Sequence, residues 1–139
     1  MPPHLAGILS GDMAATTQTD LADAWSETLR RHARISCAME RELQAAHGLG
    51  VSEFEVLEWL ATQNKESCRM QELSEGVHLS QSALSRLVGR LEADGLVHRR
   101  LCQADRRGIY ACITEEGRAR YEAARPTQRA VLAATWDDA

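Results

Sequence analysis

The residues with the clearest chemical potential lie in a short segment that begins S-Q-S-A-L-S-R at Ser80 and ends A-D-G at Gly95. Apolar side chains recur in it at spacings of three, four and seven residues, and this periodicity predicts a helix with one buried stripe. Ser80 is the expected N-cap, and Gly95 is the expected stop signal. The apolar stripe consists of Leu84, Leu87, Val88 and Leu91. The opposite side carries small residues and arginines, so it can approach a partner closely and donate hydrogen bonds to it.

The exposed side of this helix has the chemistry that is needed to contact duplex DNA in the major groove. Arg86 lies at its centre, where a guanidinium group binds a guanine edge or a phosphate, although a solvated surface arginine is the simpler alternative. Serine and glutamine side chains near the helix N-terminus bond to phosphates or bases, and for Ser80 helix capping is the alternative role. We therefore predict DNA contacts for Ser80, Gln81, Ser82, Ser85, Arg86 and Arg90.

A β-hairpin with a basic tip is predicted directly after this helix. Residues 96–102 and 109–113 alternate in hydrophobicity as strands do, and the loop between them contains Asp105, Arg106 and Arg107. An aspartate in such a loop stabilises the loop conformation and orients an arginine toward the narrow minor groove of A·T-rich DNA. An ordinary solvated hairpin tip is the alternative. Because the hairpin follows the helix described above, we predict that these three residues also contact DNA.

The order of elements around this segment is that of a winged helix-turn-helix. Residues 70–76 form a short helical run that ends in glycine, and residues 77–79 make a turn into the helix at Ser80. The sequences L-S-Q-S-A-L-S-R-L-V-G-R-L-E-A-D-G-L-V at 79–97, D-R-R at 105–107 and I-T-E-E-G-R at 113–118 closely resemble the MarR family of bacterial transcription regulators. The resemblance extends over roughly residues 22–124, and the helix after Ser80 and the wing are its most specific parts.

The resemblance implies a fold that is mainly α with a small β-hairpin wing. In this fold a winged helix-turn-helix lobe that binds DNA, here residues 51–113, is joined to long helices that form a dimerisation region, here residues 19–50 and 114–139. Residues 1–18 are expected to be a mobile N-terminal arm, because they contain Pro and Gly and lack clear periodicity. The chain departs from the family at Gly89, where an acidic residue often forms a salt bridge.

Helical periodicity covers both ends of the chain. A helix over residues 19–47 would be roughly 40 Å long, which is more than a small domain covers, so part of it is expected to pack against a second copy. A second helix is expected to begin at Ser52 with Glu55 placed for a capping box. A final helix is expected to be capped by Thr114 and to break or kink at Pro126. The stripe of the first helix consists of Leu21, Trp25, Thr28, Leu29, His32, Ile35, Ser36, Met39 and Leu43.

Two polar residues, His32 and Ser36, interrupt the apolar stripe of the first helix. They lie between Trp25 and Met39, where buried polar groups need partners. In the family that the chain resembles, a ligand pocket lies between the dimer helices and the DNA-binding lobe, so a planar molecule with a carboxylate or a phenol is one candidate partner. A core histidine bonded to a neighbouring helix is the alternative, and for Trp59 the alternative is core packing. The candidate ligand-binding residues are Trp25, His32, Ser36, Met39 and Trp59.

The four cysteines show no metal-binding pattern. The cysteines at 37, 68, 102 and 112 form neither a C-x-x-C motif nor a Cys/His pair at zinc spacing, so we expect neither a metal site nor a cofactor. Cys37 has Arg34 and Arg41 within about one helical turn, and positive neighbours favour the reactive thiolate. A redox-sensing thiol is therefore an alternative, although a structural or incidental thiol is the favoured interpretation of Cys37.

Positive charge is concentrated on the segment that is predicted to bind DNA. The whole chain has a formal net charge of −4, but residues 80–110 contain six arginines and three acidic residues, which gives this segment a charge of +3. Local positive potential steers a protein toward phosphate. The sequence contains neither an arginine-led apolar leader nor an apolar run of about 18 residues, so we expect a cytoplasmic protein without a membrane partner.

These features together predict a transcription regulator rather than an enzyme. No nucleophile, base and orienting residue form a recognisable catalytic motif. The expected protein is a homodimeric repressor that binds a pseudo-palindromic operator in double-stranded DNA and leaves it when a small aromatic or phenolic effector binds. Control by cysteine oxidation is one alternative. A winged helix that binds protein instead of DNA is another, and the basic wing argues against it.

Overall fold

Five helices and three short strands are present in the computed structural model, which describes residues 12–63, 67–101 and 108–137. The helices are α1 (Asp12–His47), α2 (Val51–Thr62), α3 (Met70–Gly76), α4 (Gln81–Ala93) and α5 (Glu115–Thr135). The strands β1 (Ser67–Arg69), β2 (Val97–Leu101) and β3 (Ile109–Ile113) form one antiparallel sheet in the order β1, β3, β2. The predicted fold, mainly α with a small β-hairpin wing, is confirmed.

The hydrophobic core forms around α2, because this helix is apolar on several sides. Phe54, Val56 and Leu57 are fully buried, and α2 contacts α1, α4, α5 and the sheet. The four apolar residues of the predicted α4 stripe are buried against the same core. Full burial of one such side chain contributes roughly 1.5–3 kcal/mol to stability. The position of α4 is therefore fixed by its apolar side, and its polar side faces solvent.

Helix α1 begins at Asp12, seven residues before the predicted start at Thr19, and it ends at His47 as predicted. Gly48 follows at φ +65°, a left-handed conformation that terminates helices. The predicted start at Thr19 is therefore wrong, whereas the mobility of residues 12–18 stays a prediction, and residues 1–11 lie outside the described part of the chain. Residues 12–18 contain two alanines and neither glycine nor proline, so nothing in this stretch opposes extension of the helix.

The folded chain covers only one end of the long apolar stripe on α1. Toward the C-terminal end of the helix, Ile35, Met39 and Leu43 are buried. Toward its N-terminal end the stripe is open to solvent, with exposures of 55% at Leu21, 63% at Trp25 and 49% at Leu29. In the described ranges, neither α1 nor any other helix has the length and apolar character that a membrane span requires.

Helix α2 is capped differently from the prediction. Its N-cap is Gly50 rather than Ser52, and the carboxylate of Glu53 accepts a bond from the Gly50 N–H at 3.0 Å. The carboxylate of Glu40 on α1 accepts a bond from the Val51 N–H at 2.8 Å. The predicted capping box between Ser52 and Glu55 is therefore wrong. Two other acidic side chains satisfy the first backbone donors, and one of them comes from a different helix.

Helix α5 runs without a break through Pro126, so the predicted break is wrong, whereas a kink there stays a prediction. Its predicted cap is confirmed, because Thr114 Oγ1 accepts a bond from the Gly117 N–H at 2.9 Å. One residue after the proline, Thr127 Oγ1 lies 2.7 Å from His47 Nε2, and two residues further on Arg129 forms a salt bridge with Glu58 at 2.8 Å. Pro126 has no backbone N–H and so removes one hydrogen bond from the helix. Packing against α1 and α2 holds the residues after Pro126 in helical conformation.

Candidate nucleic-acid interface

The turn between α3 and α4 sets the angle at which α4 is presented. The Val77 N–H donates to Leu73 O at 3.0 Å, and the Leu79 N–H donates to Ser74 O at 3.0 Å. Between them His78 has φ +58°, a left-handed conformation that is uncommon for a non-glycine residue. These bonds fix the direction of the chain as it leaves α3. Helices α3 and α4 therefore form a helix-turn-helix unit.

Helix α4, the recognition helix of this unit, has the predicted boundaries. Ser80 Oγ accepts a bond from the Ala83 N–H at 3.2 Å, which confirms the cap, and Gly95 follows the helix at φ +78°, which confirms the stop. Ser80 therefore has the capping role that was the alternative for it, and its contact with DNA stays a prediction. The polar residues that are predicted to contact DNA are exposed on the outer side of the helix: Gln81, Ser82, Ser85, Arg86 and Arg90.

The wing is a three-stranded sheet with a basic outer strand. Strand β1 pairs with β3 on the side away from β2 and stiffens the base of the hairpin. Arg69 Nε donates to the Tyr110 hydroxyl at 3.0 Å, and the Arg69 guanidinium lies 5.6 Å from the centre of the Tyr110 ring. The exposed basic residues of β2 are His98, Arg99 and Arg100. The predicted tip residues Asp105, Arg106 and Arg107 lie outside the described residues, so their contact with DNA stays a prediction.

Arg99 belongs to this surface although its position in the sequence gives little sign of it. The two carboxylate oxygens of Glu92 accept a bond from the Arg99 backbone N–H at 2.9 Å and one from Arg99 Nε at 3.3 Å. The backbone hydrogen bond lowers the pKa of Glu92, and the guanidinium acts in the same direction. The sequence signal for this ion pair is an acidic residue in the last turn of the helix, Glu92, followed by a basic residue in the strand after the glycine stop, Arg99.

Only some of the candidate ligand residues are brought together by the fold. His32 Nε2 lies 3.4 Å from Ser36 Oγ on the surface of α1. Met39 is buried in the core, Trp59 is partly buried in α2, and Trp25 is exposed on the open part of α1. The joint role of these five residues in binding a ligand stays a prediction.

A cavity of about 410 Å³ opens beside Trp59. Burial and the neighbouring charge of Glu58 raise the pKa of Glu55 at its wall, whereas His32 and His78 act against this shift. The combination of an aromatic wall and an acidic wall suits a planar molecule that carries a hydrogen-bond donor, and it disfavours an anion. The cavity is lined by Glu55, Glu58, Trp59, Thr62, Gln63, Gly76, Val77 and His78.

The Trp59 ring packs directly on the last residue of α3. A Cβ atom at Gly76 would lie only 2.6 Å from the ring, so glycine is required for this close approach. Trp59 Nε1 is buried and has no hydrogen-bond partner among the described residues, whereas a buried indole N–H usually has one. The contact with Gly76 fixes the ring as a wall of the cavity and links the cavity to the helix-turn-helix unit.

Three of the four cysteines lie in the described part of the chain, and Cys37 and Cys112 are free thiols. Cys37 is exposed on α1, whereas Cys68 and Cys112 are buried in the sheet. Cys102 lies outside the described residues. Within the described ranges, no three His, Cys, Asp or Glu side chains are grouped so that they could hold a metal ion. A redox role for Cys37 stays a prediction.

Known proteins share this sequence pattern and architecture. A sequence model of the MarR family matches residues 47–108. AbsC, a MarR family transcriptional regulator from Streptomyces coelicolor, is 30% identical over 84% of this chain and 78% of its own, with a TM-score of 0.76. Sco3205 is a MarR family transcriptional regulator from the same organism, and its structure is of a complex with DNA. It is 27% identical over 86% of this chain and 75% of its own, with a TM-score of 0.79. CouR from Rhodococcus jostii RHA1, bound to p-coumaroyl-CoA, is 28% identical over 75% of this chain and 70% of its own, with a TM-score of 0.67. No curated protein sequence matches the chain.

Proposed function

Because the chain belongs to the MarR family of transcription regulators, we propose that it is a repressor that binds a pseudo-palindromic DNA operator as a homodimer. The outer side of the recognition helix carries this proposal. It presents Arg86 and Arg90 together with small polar residues, and its apolar side holds it firmly on the core. The complex of Sco3205 with DNA gives further support. Such a role assigns no catalytic residue, and it requires that the protein share a compartment with the chromosome, which is the bacterial cytoplasm.

A second copy of the chain is the proposed partner for the open part of α1. Leu21, Trp25 and Leu29 follow one another at intervals of four residues, so they form one continuous apolar surface. We assign dimerisation to residues 19–50 and 114–139 and DNA binding to residues 51–113. Two recognition helices that are held roughly 34 Å apart would then enter successive major grooves of a two-fold symmetric site.

The proposed effector is an aromatic molecule that binds a DNA-incompetent arrangement of the dimer more tightly than the competent one. The cavity beside Trp59 is the site that we favour, because it adjoins the turn before the recognition helix. Its acidic wall changes one expectation from the sequence. A phenol or an amine is a better partner for Glu55 than a carboxylate is. The complex of CouR with p-coumaroyl-CoA supports the general class of ligand.

The DNA-binding role is tested by replacing Arg86 with alanine. A guanidinium that contacts a base contributes roughly 1–3 kcal/mol, so affinity for an operator selected from a random duplex library should fall at least about fivefold. Affinity for random-sequence duplex should fall less, because no base is read there. Both are measured by fluorescence anisotropy. Arg125→Ala, which removes an exposed arginine from α5, is the control and should change neither. Equal losses on both duplexes would contradict a base-reading role for Arg86.

The effector class is tested with two phenols that differ in the charge of their tails, tyramine and 4-hydroxyphenylacetate. Calorimetry should show that tyramine binds about tenfold more tightly, because one favourable and one unfavourable charge contact differ by roughly 1–2 kcal/mol near a protein surface. Glu55→Gln should remove most of this preference, whereas Glu122→Gln on the exposed side of α5 should preserve it. Tighter binding of 4-hydroxyphenylacetate to the unaltered protein would overturn the assignment.

A further inference from the structure

The salt bridge between Arg99 and Glu92 places a wing residue on the recognition helix. Glu92 holds the Arg99 backbone N–H and Nε, as described above, so both ends of the Arg99 side chain are fixed. Arg99 Nη1 donates to Ser85 Oγ at 3.4 Å. Arg99 Nη2 lies beside Gly89, 3.5 Å from the point where a Cβ atom would stand. The guanidinium group therefore lies across the outer side of α4, between Ser85 and Gly89.

Gly89 leaves room for this arrangement. Any long side chain at position 89 would point into the space that the Arg99 guanidinium occupies, whereas the glycine leaves it free. The acidic partner of Arg99 is Glu92, three residues after Gly89 in the same helix, with 3.3 Å between Arg99 Nε and Glu92 Oε1. An acidic residue at 89 would put a second carboxylate next to the guanidinium and give this cluster a net negative charge.

Arg99 retains hydrogen-bonding capacity for a partner. A guanidinium group has five N–H donors, and the contacts with Glu92 and Ser85 use one at Nε and one at Nη1. The remaining donors are on the two terminal nitrogens, and the side chain is 33% exposed. Terminal nitrogens that are fixed in a plane match the geometry with which arginine binds a phosphate.

We propose that Arg99 binds a DNA phosphate, with Glu92 as its positioning residue and Gly89 as the gap that admits it. This inference rests on the proposed DNA-binding function. A phosphate is favoured over a base edge because Gly89 and Glu92 lie in the C-terminal half of α4, whereas base contacts come mainly from the N-terminal residues of a recognition helix. Arg99 thus connects the wing and the recognition helix to the DNA backbone.

The first test is the salt dependence of DNA binding by Arg99→Gln. Each neutralised phosphate contributes about 0.9 to the slope of log affinity against log salt, so a dimer should lose a slope of about 2. Affinity should fall by about tenfold on random-sequence duplex and on the selected operator alike, since phosphate contacts are made on any sequence. Arg99→Lys should restore most of the slope, because it retains the charge. An unchanged slope for Arg99→Gln, even with lower thermal stability, would overturn the proposal and leave Arg99 a structural residue only.

Glu92→Gln provides the sharper test, because a positioning role and simple electrostatics predict opposite changes in DNA affinity. Removal of a negative charge near DNA should by itself tighten binding, and Asp94→Asn, at an exposed acid just after the same helix, should do so slightly. Glu92→Gln should instead weaken binding about threefold, because it releases the Arg99 side chain. In an Arg99→Gln background this weakening should disappear. If Glu92→Gln tightens binding as Asp94→Asn does, the positioning role is wrong.

The outcomes also separate this inference from the function on which it rests. If the unaltered protein binds no duplex, the proposed function itself is wrong. If it binds, and Arg86→Ala relaxes its sequence preference while Arg99→Gln leaves the salt slope unchanged, only the role of Arg99 is wrong. Gly89→Glu adds an independent check, because it should reproduce the lower slope of Arg99→Gln.

Discussion

Replacement of Gly117 with alanine is expected to lower the free energy of unfolding by about 3 kcal/mol, at the upper end of the cost of overpacking a core. Gly117 is buried in the first turn of α5, and a Cβ atom there would lie 2.1 Å from the Leu96 carbonyl oxygen. It would also lie 2.9 Å from Ile113 Cγ1. The Leu96 carbonyl belongs to the backbone and already accepts a bond from the Thr114 N–H, so it cannot move away freely. Thermal unfolding should show a midpoint about 10 °C lower.

The matched control is Gly89→Ala, which makes the same chemical change in another helix. A Cβ atom at Gly89 would meet only the flexible end of Arg99, at an ordinary contact distance of 3.5 Å. Because alanine is a better helix former than glycine, this variant should be more stable by about 0.5–1 kcal/mol. The two variants should thus shift the unfolding midpoint in opposite directions. Equal shifts would contradict the close packing of α5 on the Leu96 carbonyl.

Trp25→Arg is expected to weaken dimerisation at least 100-fold, which corresponds to about 2.7 kcal/mol. Trp25 is 63% exposed in the folded chain, so the substitution should leave the fold of the protomer intact. In the proposed dimer, however, it would remove a large apolar contact and bury a charge, and two-fold symmetry applies this cost twice. Sedimentation velocity at micromolar concentration should show monomers. Operator affinity should fall in parallel, because two half-sites would no longer be bound by one rigid body.

Asp23→Arg is the control for this experiment, since it places the same side chain on the opposite side of α1. Asp23 is exposed and lies about half a helical turn away from the apolar surface. This variant should remain dimeric and bind the operator at least as well as the unaltered protein. If Trp25→Arg sediments as a dimer, the apolar surface of α1 is not the dimer interface.

The parts of the fold that could be predicted are those specified by neighbouring residues. Ser80 caps α4 through a bond to a residue three positions away, and Gly95 ends the helix through its own backbone conformation. The alternation of β2 and β3 and the cap at Thr114 are equally local. Each of these signals is readable in the sequence, because the interaction and the residues that make it lie within one or two turns of chain.

The parts that could not be predicted depend on contacts between distant segments. The cap of α2 includes Glu40, which comes from the preceding helix. Continuity of α5 through Pro126 depends on packing against α1 and α2, which outweighs the loss of one backbone bond. The bridge from Glu92 to Arg99 requires that β2 fold back along α4. The same limit applies to the cavity beside Trp59, since its walls come from α2 and from the turn after α3.

The uncovered N-terminal half of α1 makes the proposed regulator sensitive to its own abundance. An isolated helix of this length is only marginally stable in water, so the exposed segment from Gln18 to Arg30 gains most of its order from whatever covers it. If a second copy provides that cover, the concentration of dimers at low expression rises with the square of the number of chains. A twofold change in synthesis would then change operator occupancy up to fourfold. Hydrogen exchange in this segment should accordingly slow as the protein is concentrated, while exchange in α2 stays constant.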